Sequence, residues 1–194
     1  AKAACAKWFD VRSFGQLFAF KAESGKGKTD EEDSDGGGKG DGISIPIRGP
    51  VSIHSAFSVE PVSLTSVQIT KSVNSEDKEK RSSDTMGMKH RVDSGTYVFF
   101  GSMNPQLAER TGFSDADAEV IRGLLPRLFE NDASSARPEG SMAVKNVFWW
   151  KHNCKAGQFS SAKVHRSLKV KPDGTHEFDV SEIGAFKPEI IPGF

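Results

Sequence analysis

The sequence has little cysteine, no long apolar run and no nucleotide-binding fingerprint. Its two cysteines, Cys5 and Cys154, are too few for a disulfide framework. They read as free thiols of a cytoplasmic protein. Neither has a second Cys or His pair at zinc-finger spacing, so we expect no metal. No stretch approaches the ~20 apolar residues that span a bilayer, so no membrane partner is expected. Ala1–Ala6 is followed by no apolar segment of leader type, and no secretory leader is expected. There is no P-loop, no Gly-x-Gly-x-x-Gly and no internal repeat. Within Gly140–Pro172 there is no Asp or Glu at all.

That last absence turns the reading toward what is present. The acid-free stretch carries Lys145, Lys151, Lys155, Lys163, Arg166, Lys169 and Lys171. His152, His165, Phe148, Trp149, Trp150 and Phe159 lie among them. The chain as a whole has a formal net charge of +0. The cations are therefore sorted away from the acids, many of which sit between Asp30 and Asp41. A basic stretch with interleaved aromatics suits a polyanion.

The 194 residues suggest a single domain over 1–194. Ala1–Trp8 reads as helix. Phe9–Phe20 reads as strand, with Gly15 as a bulge or close approach. Residues 21–42 form a Gly-rich acidic segment that cannot bury enough apolar area to order itself, and we expect a mobile loop. Ile43–Ile53 alternates as a strand, kinked at Gly49-Pro50, and Phe57–Ile69 continues extended with a break at Pro61. Residues 70–94 are polar and lie between strand-like flanks, which predicts a projecting hairpin.

Gln106–Thr111 reads as a short helix stopped at Gly112. Ser114–Asn131 has an apolar stripe at helical spacing, a capping-box start at Ser114 and Asp117, and a kink at Pro126. Ala143–Lys151 and Lys163–Lys171 read as strands. Lys171–Thr175 is a turn and His176–Val180 its returning strand. Gly184–Phe194 reads as an extended, proline-broken tail. The order predicts an α+β domain with an antiparallel sheet, for which a ferredoxin-like or RRM-like core fits.

Met86, Met88, Lys89, His90 and Arg91 form the sharpest local cluster. Cations there would meet phosphates, and methionines could wedge between bases. The bland reading is a solvated hairpin whose methionines fold back on the body. Arg48 stands before a glycine that could admit a ligand to the backbone, followed by His54 and Ser55. An edge-strand kink with a surface arginine explains it as well. Lys151 and His152 end a strand that places Trp149 and Trp150 on opposite faces, one of them expected in the core. Five histidines could also support a metal-independent endoribonuclease using His54 and His90 as acid and base. A third possibility is a basic face that meets an acidic protein partner.

Several motifs occur in order. They are Asp10-Val11-Arg12-Ser13-Phe14-Gly15, Ile47-Arg48-Gly49-Pro50-Val51, Ser58-Val59-Glu60-Pro61, and Thr85-Met86-Gly87-Met88-Lys89-His90. Ala108-Glu109-Arg110-Thr111-Gly112-Phe113-Ser114, Leu128-Phe129-Glu130-Asn131-Asp132 and Ser134-Ser135-Ala136-Arg137 follow. As an ordered set they resemble the Cas7 backbone subunit of type I-C CRISPR effector complexes, called Csd2, over about residues 1–171. Family members carry a further strand and a Gly-Asn-Pro-Asn-Gly-Asp-Pro-Asp-like motif that this sequence does not contain.

The resemblance implies an RRM-like palm with a β-hairpin thumb at 70–94. It implies a prokaryotic, non-catalytic protein that binds crRNA without a cofactor and meets target DNA through the guide. Its partners would be further Cas7 copies in a helical filament, with Cas5 and Cas8 subunits. RNA-binding residues would be Arg48, His54, Ser55, Met86, Met88, Lys89, His90, Arg91, Lys151, His152 and Lys163.

Overall fold

Residues 1–20, 43–70 and 86–194 are described by a computed structural model. In chain order the elements are α1 (Lys2–Lys7), α2 (Phe9–Phe14), β1 (Gly15–Phe20), β2 (Ile43–Arg48), β3 (Val51–Ile53), β4 (Phe57–Ser58) and β5 (Leu64–Thr70). Then come β6 (Met86–Val92), β7 (Tyr97–Val98), β8 (Gly101–Met103), α3 (Pro105–Thr111) and α4 (Asp115–Leu124), which runs into a 3-10 turn, Leu125–Arg127. The chain closes with β9 (Asn146–Trp149), α5 (Ser161–Ser167), β10 (Leu168–Val170), β11 (His176–Phe178) and β12 (Glu189–Pro192). The fold is α+β, and among the described residues every strand pairs antiparallel in a two-stranded ladder. The continuous sheet expected of a ferredoxin-like core is not among these ladders.

The residues cluster into two units. The first comprises Ala1–Ile53, Gly101–Ser161 and Ala185–Phe194. Its buried apolar residues are Cys5, Val11, Val51 and Ile121. The capping box forms as the sequence predicts: Ser114 Oγ accepts from the Asp117 amide at 3.3 Å, and Asp117 accepts from the Ser114 amide at 2.9 Å. Asp117 also takes the Arg12 guanidinium on both oxygens, at 2.7 and 3.1 Å, which ties α2 to the start of α4. Those bonds, the Arg12 contact first, hold the Asp117 carboxyl down at about 2. Asn104 caps α3 through the amides of Gln106 and Leu107, and Gly112 closes it in the left-handed region. Pro126 ends the regular helix, because its ring denies the ladder an amide.

Two strand expectations need correction. The first half of Phe9–Phe20 is helix, and only Gly15–Phe20 is strand. Phe9, Val11 and Phe14 fit alternation and helical spacing about equally in so short a segment. What separates the elements is Gly15 at φ 90°. The tail is extended as expected, and its Glu189–Pro192 pairs with Asn146–Trp149, Glu189 facing Trp149 in register. Arg122 reaches Glu189, and the Arg127 guanidinium lies 3.9 Å from the Phe194 ring. Trp149 and Trp150 are both half-buried, so neither is the fully buried core residue expected.

The second unit comprises His54–Phe100 and Ala162–Gly184, with Val164 and Ile183 buried. Here Lys163–Lys171, expected as strand, begins as helix. Val164 and Ser167, three apart, are its buried positions, and only Leu168–Val170 is strand. That strand pairs with His176–Phe178 across the expected turn, whose Asp173 accepts from the Thr175 amide at 2.8 Å. β5 and β6 pair along seven residues each, from Leu64 opposite Val92 to Thr70 opposite Met86. The hairpin arms therefore start at Leu64, before the expected residue 70. Residues 21–42, expected to be a mobile loop, and 71–85, within the expected 70–94 excursion, lie outside the described residues.

Candidate nucleic-acid interface

The β5–β6 ladder gathers five of the sequence-predicted contacts. Side chains alternate along a strand, so register sorts them onto two faces. Lys89 and Arg91 share one face, opposite Val67 and Thr65. Met86, Met88 and His90 share the other, opposite Thr70, Gln68 and Ser66. Every residue of β6 is exposed, Met86 at 61% and Met88 at 56%. Leu64, Val67 and Ile69 are exposed as well. A ribbon that offers apolar and methionine side chains to solvent on both faces has no core of its own.

Polar contacts organise this ribbon. His90 Nδ1 lies 2.8 Å from Ser66 Oγ, and the Gln68 amide donates to Met86 Sδ at 3.0 Å. At the base, Asp93 accepts from Thr65 Oγ1 at 2.8 Å and Ser63 Oγ at 3.2 Å, and lies 3.5 Å from Arg91 Nε. These hydroxyl bonds, Thr65 first, and the nearby arginine hold Asp93 below the usual carboxylate range. Asp93 and its hydroxyl partners were not singled out in the sequence. Period-2 spacing from Arg91 was the signal that could have found Asp93.

The remaining predicted residues lie elsewhere. Arg48 ends β2 and is exposed. Its neighbour Gly49 is required by the fold. A Cβ there would lie 2.3 Å from the Ser13 carbonyl oxygen, and one on Gly15 would lie 2.2 Å from the Ile47 carbonyl oxygen. The two motif glycines let two backbone segments touch.

Lys151 and His152 follow β9 in the first unit. His152 is half-buried, accepts from the Gln158 amide on Nδ1 at 3.0 Å, and packs on Phe186 at 4.8 Å between ring centres. In the second unit, His54 and Ser55 are exposed and Lys163 is exposed on α5. The His54 ring meets His165 edge-on at 5.6 Å, and His165 stacks on Phe100 at 4.5 Å. His54 and His90 thus each face a different neighbour.

The acid-free segment is not a bare cationic face. Arg166 pairs with Glu182, Lys169 with Asp179 and Lys171 with Glu177, across the turn that returns the chain. Lys155 pairs with Glu109. Asp179 sits at about 2, held there first by Ser181 and then by Lys169. Glu177 and Glu109 are each lowered chiefly by their lysine. Four of the seven cations thus face a carboxylate that is absent from their own stretch of sequence. Among the described residues, no group of three or more His, Cys, Asp and Glu could hold a metal ion. None of their helices is long and apolar enough to cross a membrane.

The family model described as CRISPR-associated protein Cas7 matches residues 1–187. No curated protein matches the chain.

Proposed function

The chain belongs to the Cas7 family of CRISPR-associated proteins, and from that premise we propose that it is a non-catalytic, crRNA-binding backbone subunit of an interference complex. Copies line the spacer of the guide RNA beside Cas5 and Cas8 subunits and present it to target DNA. The motif series favours type I-C, the Csd2 subunit. In this reading the chain forms an RRM-like palm, and β5–β6 is the stem of the thumb.

The observation that carries the reading is the β5–β6 ribbon. Cations line one face, methionines and an imidazole line the other, and both faces are exposed. Phosphates suit the first face, and base edges or planes suit the second. Contacts to the RNA backbone position a protein without reading sequence, so little base preference is expected.

Fluorescence anisotropy with labelled RNAs of unrelated sequence tests this. Lys89→Ala and Arg91→Ala should each weaken binding to all of them alike. Each should also lower the slope of log affinity against log salt by about 0.7, one single-strand phosphate contact. Loss confined to one sequence, or no loss, would remove the hairpin from the interface. The ribonuclease alternative has less support, since the His54 ring meets His165 while His90 meets Ser66. Discrete RNA products that vanish in His54→Ala would restore it.

A further inference from the structure

We propose that Asp93 is a positioning residue that holds Arg91 in the orientation that grips an RNA phosphate. This rests on the reading that the hairpin binds RNA. Asp93 is not a casual surface acid. Its backbone amide donates to the Ser63 carbonyl at 3.1 Å. Its Oδ2 accepts from both Thr65 Oγ1 and Ser63 Oγ. Thr65 is the cross-strand neighbour of Arg91, so the carboxylate is fastened to both arms of the ribbon beside that arginine.

The other oxygen, Oδ1, faces Arg91 Nε at 3.5 Å. An arginine approached at Nε keeps its two terminal nitrogens as a planar fork, the part that matches phosphate bidentately. The Arg91 side chain is 65% exposed against 35% for Asp93, so the fork has room to receive a ligand while the anchor stays more enclosed. Fixing a long side chain before binding removes entropy that the complex would otherwise lose, worth about three- to tenfold in affinity.

A negative charge this close to a phosphate would by itself repel it. The two effects therefore have opposite signs. If Asp93 only adds charge, Asp93→Asn tightens RNA binding. If it positions Arg91, Asp93→Asn weakens binding although a negative charge has been removed.

The experiment titrates the whole chain with a labelled oligouridine at several salt concentrations. It compares wild type, Asp93→Asn, Arg91→Ala and the double variant. Thr65→Val is added because it loosens Asp93 without changing net charge. We expect Asp93→Asn to weaken binding about three- to tenfold with the salt slope kept near that of the wild type, because the Arg91–phosphate contact still forms. With Arg91 already removed, Asp93→Asn should no longer weaken binding. Thr65→Val should move affinity in the same direction as Asp93→Asn. Binding that tightens or stays equal in Asp93→Asn overturns the positioning role while leaving the RNA interface standing. A loss in Asp93→Asn that persists undiminished without Arg91 also overturns it, since the effect would not pass through that arginine. Absence of RNA binding by the wild type overturns the interface itself, and this role with it.

Discussion

Replacing Asp117 by Asn removes a charge and keeps the shape of the side chain, so it isolates what the Arg12 pair contributes. In the folded chain the Asp117 carboxyl sits at about 2 against an ordinary 3.8. Each tenfold change in proton affinity corresponds to ~1.4 kcal/mol, so the bonds made by the ionised form stabilise the fold by about 2 kcal/mol near neutral pH. The Asp117 side chain is only 11% exposed and Arg12 23%, so solvent screens the pair little.

The carboxyl is depressed in the folded state. Its contribution is therefore fully present above 3.8 and is lost as pH falls from there toward 2. Urea unfolding followed by tryptophan fluorescence should show Asp117→Asn about 2 kcal/mol less stable at pH 7. By pH 3 the deficit should fall to roughly half. A double-mutant cycle with Arg12→Gln should show the two changes to be strongly non-additive. A deficit that is equal at pH 7 and pH 3, or additive behaviour in the cycle, would refute the link between α2 and α4 as drawn.

Other outcomes follow from the same geometry. Gly49→Ala should cost ~3 kcal/mol or more in the same unfolding assay, because its Cβ would press on the Ser13 carbonyl oxygen at 2.3 Å, which backbone cannot vacate cheaply. Lys171→Ala should leave RNA affinity within about twofold, its charge being matched by Glu177, while Lys89→Ala weakens it. Equal losses at both would restore the acid-free segment as the RNA surface. A thiol reagent should modify exposed Cys154 promptly and buried Cys5 only on unfolding; two equally fast thiols would contradict the packing around α1.

Local signals carried most of the legible fold. Ser114 with Asp117, Gly112 after Thr111 and the turn at Pro172–Gly174 each act within a few residues and formed as read, whereas the helix expected to kink at Pro126 and run to Asn131 instead ends at Leu124. What escaped lies in short segments and long-range pairings. Phe9–Phe14 and Ser161–Ser167 are helices too short for period to separate from alternation. The pairing of Glu189–Pro192 with Asn146–Trp149 joins residues some forty apart, which no local pattern specifies.

The site divides in the same way. The hairpin cluster was legible because residues 86–91 are contiguous and polar flanks isolate them. The pairing within the basic segment was not legible from its own composition, because the partners Glu177, Asp179 and Glu182 lie just beyond its end. Across the turn at Pro172–Gly174 the register sets Glu177 opposite Lys169. Arg48 and Gly49 read as a ligand approach, yet the glycine is required by the chain's own crossing with Ser13–Gly15.

The central claim is that this chain coats guide RNA as a repeating subunit. Native mass spectrometry of the purified protein with RNAs of stepwise increasing length tests it most directly. The account predicts complexes whose copy number rises in regular steps with RNA length, and that disperse at high salt. A single copy at every length, or RNA left unbound at low salt, would contradict it.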